Sequence, residues 1–134
     1  MVEVAAGADI CTIEEAHDFL EKVPNEQRFM ATSCCPSWRM MARRLFPAES
    51  GNISMTYTPM VYTARLVKKE HPNSKVVFIG PCAAKKLEAM QEDIRTDVDF
   101  VLTYEELMGI FEAKEINFSA LPDSPDLDEG TRAG

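Results

Sequence analysis

An α/β fold, with an open, mostly parallel sheet flanked by helices, is what the sequence predicts, on three observations. Short apolar runs alternate with amphipathic stretches, the pattern of successive βα units. Val76-Val77-Phe78-Ile79 is continuously apolar, as expected of a central strand covered on both faces. Proline-led or Ser/Thr-x-x-Glu helix starts follow several of these runs.

The first helix is predicted at Thr12-Ile13-Glu14-Glu15, a capping box with Thr12 as N-cap. Ile13, Ala16, Phe19, Leu20 and Val23 follow at helical spacing, and Pro24-Asn25 ends the element. Residues 28–32 read as a short strand that turns through Ser33-Cys34-Cys35 into a helix started by Pro36. Trp38, Met41, Ala42 and Leu45 form its apolar stripe, Phe46-Pro47 stops it, and a loop over 48–54 follows. Thr58-Pro59 starts the next helix, with Met60, Val61, Ala64 and Val67 on one face, closed by Glu70-His71-Pro72-Asn73. After the 76–79 strand, Gly80-Pro81-Cys82 leads a helical stretch over 83–90. Residues 98–102 are a third strand, and Thr103-Tyr104-Glu105-Glu106 a second capping box with Leu107, Ile110 and Phe111 inward. From Leu121 the chain becomes an acidic, breaker-rich tail, so a lobe over 1–121 and a tail over 122–134 are expected.

A length of 134 residues suits one domain, and 46% hydrophobic with 27% charged residues excludes disordered and collagen-like classes. Fourteen Lys plus Arg against 22 Asp plus Glu give a net charge of −8, which argues against nucleic-acid or anionic-membrane partners. No apolar run approaches the roughly 20 residues that span a bilayer. Met1-Val2-Glu3-Val4 has neither a basic nor an apolar signal region, so a cytoplasmic protein is expected. Four cysteines are too few for a disulfide scaffold, and in a reducing compartment their roles would be packing, metal or redox chemistry.

Cys35 and Cys82 occupy the same kind of place, after a predicted strand and before a predicted helix. Sites in open parallel sheets gather outside the carboxyl ends of strands, and a helix start there favours a thiolate. Spacing alone leaves burial as the commoner fate of a free cysteine. The side chains of the adjacent pair Cys34-Cys35 diverge, so one could face a metal while the other faces a substrate pocket.

Thr32-Ser33-Cys34-Cys35-Pro36-Ser37-Trp38 resembles the first active-site motif of the iron–iron hydrogenases, T-S-C-C-P-x-W. Pro81-Cys82-Ala83-Ala84-Lys85-Lys86-Leu87-Glu88 resembles the second, P-C-x-x-K-K-x-E. The resemblance implies one α/β lobe of the hydrogenase catalytic domain, whose centre is a 4Fe-4S cluster bridged to a diiron centre with cyanide, carbonyl and dithiolate ligands. By this likeness Cys35 and Cys82 are cluster ligands, Cys34 passes protons to the bridging amine, and Lys85 hydrogen-bonds a cyanide beside Ser33. Ser54 and Glu88 match proton-path positions, with Glu15 and Asp18 further out. The implied partners are the remaining lobe of the parent chain, a redox protein such as ferredoxin, H₂ and protons. Thiolates suit soft iron, a neighbouring ammonium offsets an anionic ligand, and a thiol–carboxyl–hydroxyl series relays protons at hydrogen-bond range.

Without the motif, Lys85, Lys86 and Glu88 would read as solvated helix surface and Trp38 as core. Cys11 falls outside both motifs and reads as packing, and neither His17 nor His71 is given any chemistry. Family members commonly carry methionine before the second Pro-Cys, where this chain has Gly80, a departure that suits slower, sensory members. The third family motif, E-x-M-x-C-x-x-G-C, and upstream ferredoxin-type cysteines are absent, so a fragment is expected, inactive and without metal on its own. The rival reading is a non-catalytic Fe–S or zinc module using all four thiols, which the spacing fits poorly. A thiol-redox domain using Cys34 and Cys35 ranks below it, because a vicinal disulfide is strained.

Overall fold

The computed structural model describes residues 1–23 and 25–122. The acidic tail therefore lies outside the described residues from position 123 on, as does Pro24 in the expected helix stop. The described chain forms two compact units, residues 1–66 and 67–122, whose boundary falls within one helix.

The first unit holds α1 (Ala5–Lys22), α2 (Pro36–Leu45) and most of α3 (Pro59–Glu70), with a 3₁₀ turn over Pro47–Asn52. α1 begins well before the expected Thr12: its N-cap is Val4, with no side-chain bond, and Thr12 is an interior helical residue. A capping signature has meaning only where a helix starts, and alanines at 5, 6 and 8 carry this helix past it. The expected apolar stripe also faces the wrong way. Phe19 and Leu20 are 44% and 71% exposed, whereas Gly7, Asp9 and Cys11 are buried. The inward side of α1 runs through Gly7, Cys11, Glu15, Asp18 and Lys22, and is small and polar rather than apolar.

Gly7 explains how closely α1 lies against α3. A Cβ at this position would sit 2.2 Å from Thr63 Oγ1 and 2.4 Å from the Pro59 carbonyl oxygen. Helix propensity alone would make Gly7→Ala stabilising by nearly 1 kcal/mol. The backbone contact reverses the sign, because a carbonyl cannot rotate away. Gly7→Ala is expected to destabilise the chain by about 2 kcal/mol, read as a lower urea midpoint.

α2 and α3 start where expected, at Pro36 and Pro59. The predicted 28–32 strand is reduced to one parallel bridge, Ala31 with Ile53. Ala31 donates to the Asn52 carbonyl at 2.8 Å, and Ser54 donates to the Ala31 carbonyl at 2.8 Å. Those two bonds use both backbone groups of Ala31, and no ladder extends from them. Arg65 lies 4.0 Å above the Tyr57 ring, and Tyr62 meets Tyr57 edge-on, so the segment after Ile53 is held against α3. Ala42, Ile53, Met60, Val61 and Ala64 form the apolar core of this unit.

The second unit contains β1 (Val77–Gly80), α4 (Ala84–Ala89), β2 (Phe100–Thr103) and α5 (Tyr104–Ala113). β1 and β2 are parallel, with Val77 opposite Phe100 and Gly80 opposite Thr103. The crossover through α4 is what a parallel pair requires. Thr103 and Glu106 form the expected capping box with both bonds present. Leu107 and Phe111 are half-buried as expected of an inward face, while Ile110 is 44% exposed. Cover on both faces of β1 is not found: Val77 and Ile79 are 46% and 41% exposed on one face. An apolar run reports the tendency to be covered, and among the described residues of this unit that face stays partly open. Ile94, Val98 and Glu88 are buried here.

Asp99 ties β2 to the preceding chain. It accepts from Lys75 Nζ and from the Val76 N–H, each at 2.9 Å, and pairs with Lys68 Nζ at 2.9 Å. These donors, Lys75 first, hold its carboxyl well below the usual carboxylate range. A depressed folded value stabilises the fold above the unfolded value of about 3.9, and that contribution is lost as pH falls further. Asp99→Asn should therefore lower the urea midpoint at neutral pH, with the gap to wild type narrowing below about pH 4. A pH-independent gap would remove the ion pairs as its cause.

Candidate metal and proton-transfer site

In the first unit, Cys35 is the N-cap of α2, and its Sγ accepts the Trp38 N–H at 3.5 Å. Cys34, immediately before it, is exposed and takes part in no hydrogen bond among the described residues. The divergence expected of this vicinal pair is present. One sulfur turns to the helix end and the other to solvent.

Ser33 is fully buried, and its N–H donates to Glu15 Oε1 at 2.9 Å. Its hydroxyl donates to the Thr56 carbonyl at 2.7 Å and lies 3.5 Å from the same Glu15 oxygen. Ser54, also buried, reaches Thr56 Oγ1 at 2.9 Å and Asp18 Oδ2 at 3.4 Å. Asp18 in turn holds Lys22 Nζ at 2.6 Å. That bond raises the Lys22 pKa above its ordinary value. Glu15, Ser33, Thr56, Ser54, Asp18 and Lys22 thus form one connected polar series. The Ala31–Ile53 bridge makes it possible, because it lays the segments carrying Ser33 and Ser54 side by side.

Sequence reasoning missed Thr56 and Lys22. Lys22 had a legible signal: Glu15, Asp18 and Lys22 recur at three- and four-residue steps, one face of a helix. Thr56 had a weaker one, a hydroxyl two residues after a serine, the spacing of a local side-chain-to-backbone turn.

In the second unit, Cys82 is half-exposed and stands two residues before α4, whose N-cap is Ala83, so it does not cap its helix as Cys35 does. Lys85 donates to Glu88 Oε2 at 2.8 Å. Glu88 is only 1% exposed, so the solvated helix edge that these residues would suggest without the motif is instead a buried ion pair. Gly80 is buried on the face shared with Phe78, whose ring atoms Cε1 and Cζ lie 2.7 and 2.8 Å from where a Cβ would stand. Phe78 therefore fills the space that a side chain at position 80 would take.

Thiolate sulfur is what binds Fe–S iron, so the donors fit such a cluster in kind. Among the described residues no group of three or more metal-binding side chains occurs, so no closed site is built from them. The Thr58 hydroxyl, at the start of α3, is buried without a hydrogen-bond partner among the described residues.

The family model described as iron only hydrogenase large subunit, C-terminal domain, matches residues 1–134. The chain belongs to this family. Within the iron-only hydrogenase family, it is 32% identical to iron hydrogenase 1 of Clostridium pasteurianum, over 98% of this chain and 26% of that protein. It is also 32% identical to the cytosolic Fe-S cluster assembly factor NAR1 of Phaeosphaeria nodorum, over 70% of this chain and 18% of that one. The structure of apo [FeFe]-hydrogenase HydA1 from Chlamydomonas reinhardtii superposes with a TM-score of 0.79 at 28% identity, covering 99% of this chain and 37% of that chain. The chain thus spans well under half the length of these hydrogenase relatives. Among the described residues no helix is long and apolar enough to cross a membrane.

Proposed function

We propose that this chain supplies part of the metal centre and the proton-handling side of an iron-only hydrogenase-type protein. In the whole protein the activity would be interconversion of protons and H₂, or H₂ sensing. Cys35 and Cys82 would hold a 4Fe-4S cluster bridged to a diiron centre, which when bound supplies the electrons and the metal site for that reaction. Lys85 and Ser33 would neighbour its anionic ligands, and Cys34 would exchange protons with it. The observation that carries the reading is the series of buried and half-buried carboxylates and hydroxyls, linked also through the Ser33 N–H and the Thr56 carbonyl, that leads to the residue before Cys34.

Carboxylates and hydroxyls within hydrogen-bond range pass protons without large movement. Glu15 and Asp18 are the titratable members, Ser33 and Ser54 the neutral bridges, and Lys22 a cation that holds Asp18 in place. Glu88 would serve the same traffic from the second unit. The remaining lobe of the parent chain, a redox protein such as ferredoxin, H₂ and protons are the partners this reading requires. A cytoplasmic location is part of it, favoured by the cytosolic assembly factors among the relatives and opposed by the periplasmic hydrogenase among them.

Anaerobic reconstitution of the 134-residue chain with iron and sulfide tests the ligand count. Two motif-matched thiols are half of the four that a cubane takes, so oxygen-labile iron well below four per chain is expected. About four irons per chain with cubane absorption would replace this reading with a four-thiol module. A second reading, a non-catalytic Fe–S protein, is favoured by the assembly-factor relatives. Iron binding without H₂ turnover in the whole protein would select it.

A further inference from the structure

Ser54 has one hydroxyl proton and two acceptors within reach. Thr56 Oγ1 is at 2.9 Å, close to the usual O–H···O distance, whereas Asp18 Oδ2 at 3.4 Å is a longer and weaker contact. Ser54 Oγ also accepts the Thr56 N–H at 3.1 Å, which closes a small ring between the two residues. Ser54 is 1% exposed, so water does not compete for its hydroxyl. Asp18 has its own partner in Lys22, from the same helix, and depends less on Ser54 for compensation. The Thr56 backbone is fixed in turn, because its carbonyl accepts the Ser33 hydroxyl at 2.7 Å.

We propose that Thr56 is a positioning residue of this polar series: its hydroxyl takes the Ser54 proton at rest and holds Ser54 off Asp18. The proposal deepens the proton-path reading and rests on it. The Ser54 hydroxyl reaches the Asp18 carboxylate only by turning away from Thr56, a rotation in which no O–H bond is broken and both hydroxyls stay neutral.

The test is NMR of the isotope-labelled 134-residue chain at neutral pH, reading the Asp18 carboxylate carbon and the Ser54 side chain. Thr56→Val keeps the shape and the backbone N–H but removes the acceptor, so Ser54 turns to Asp18 and both resonances shift. Thr56→Ser, which restores a hydroxyl, returns both to the wild-type positions. Asp18→Asn leaves the Ser54 resonance close to wild type, because the hydroxyl is not on Asp18. An unmoved Asp18 carbon in Thr56→Val, or a Thr56→Ser spectrum displaced as far as Thr56→Val, overturns the proposal. If Thr56→Val does not fold, a large Ser54 shift in Asp18→Asn overturns it on its own. Failure of the underlying proton path reads out elsewhere, as unchanged H₂ turnover when Ser54→Ala is made in the whole protein.

Discussion

Lys85→Met is expected to destabilise the chain by about 3–5 kcal/mol, a large share of the roughly 5–15 kcal/mol available to an ordinary domain. Glu88 is 1% exposed, and Lys85 Nζ, 2.8 Å away on the same helix, is its ammonium partner. Removing one member of a buried pair leaves an uncompensated charge, which costs more than the pair contributes when intact. Urea unfolding reads the effect directly. A second variant separates charge from packing: Glu88→Gln added to Lys85→Met should recover much of the loss, because the buried charge is then gone. A double variant no more stable than Lys85→Met alone would assign the loss to packing. The same pair gives Lys85 two duties, one to the fold and one to the proposed anionic ligand, and the stability measurement isolates the first.

In the whole protein, Cys34→Ala should keep its iron and lose about 100- to 10,000-fold in H₂ turnover, the usual range for a positioned proton-transfer group. Cys35→Ala should instead lose the cluster. The structural basis is the divergence of the two sulfurs, with Cys35 set at the head of α2 and Cys34 exposed. Iron content and turnover, measured on the same preparations, decide the matter. Equal iron loss in the two variants would show that the roles are not divided this way.

Where a rule is local, the sequence is read correctly. Pro36 and Pro59 start helices because a fixed backbone angle and a missing N–H suit the first turn wherever it stands. Thr103 and Glu106 satisfy each other's backbone groups within four residues, so that capping box also holds. The Thr12 box fails because the same residues lie inside a longer helix, and nothing in four residues reveals how far upstream a helix began. The face of α1 is misread for a different reason. Periodicity shows that Phe19 and Leu20 share a side, but the close approach at Gly7 and the bonds to Glu15 and Asp18 decide which side turns inward. The candidate site follows the same division. Ser33, Ser54, Glu15 and Asp18 are legible by resemblance to a motif, and the structure joins them by hydrogen bonds. Thr56 belongs to no motif, and its part becomes visible only once the Ala31–Ile53 bridge has brought two distant segments together.

The ring of Phe78 over Gly80 also has a historical side. A side chain gained at position 80 meets the end of the Phe78 ring, which has to swing aside to admit it. The two sites are therefore expected to vary together among descendants.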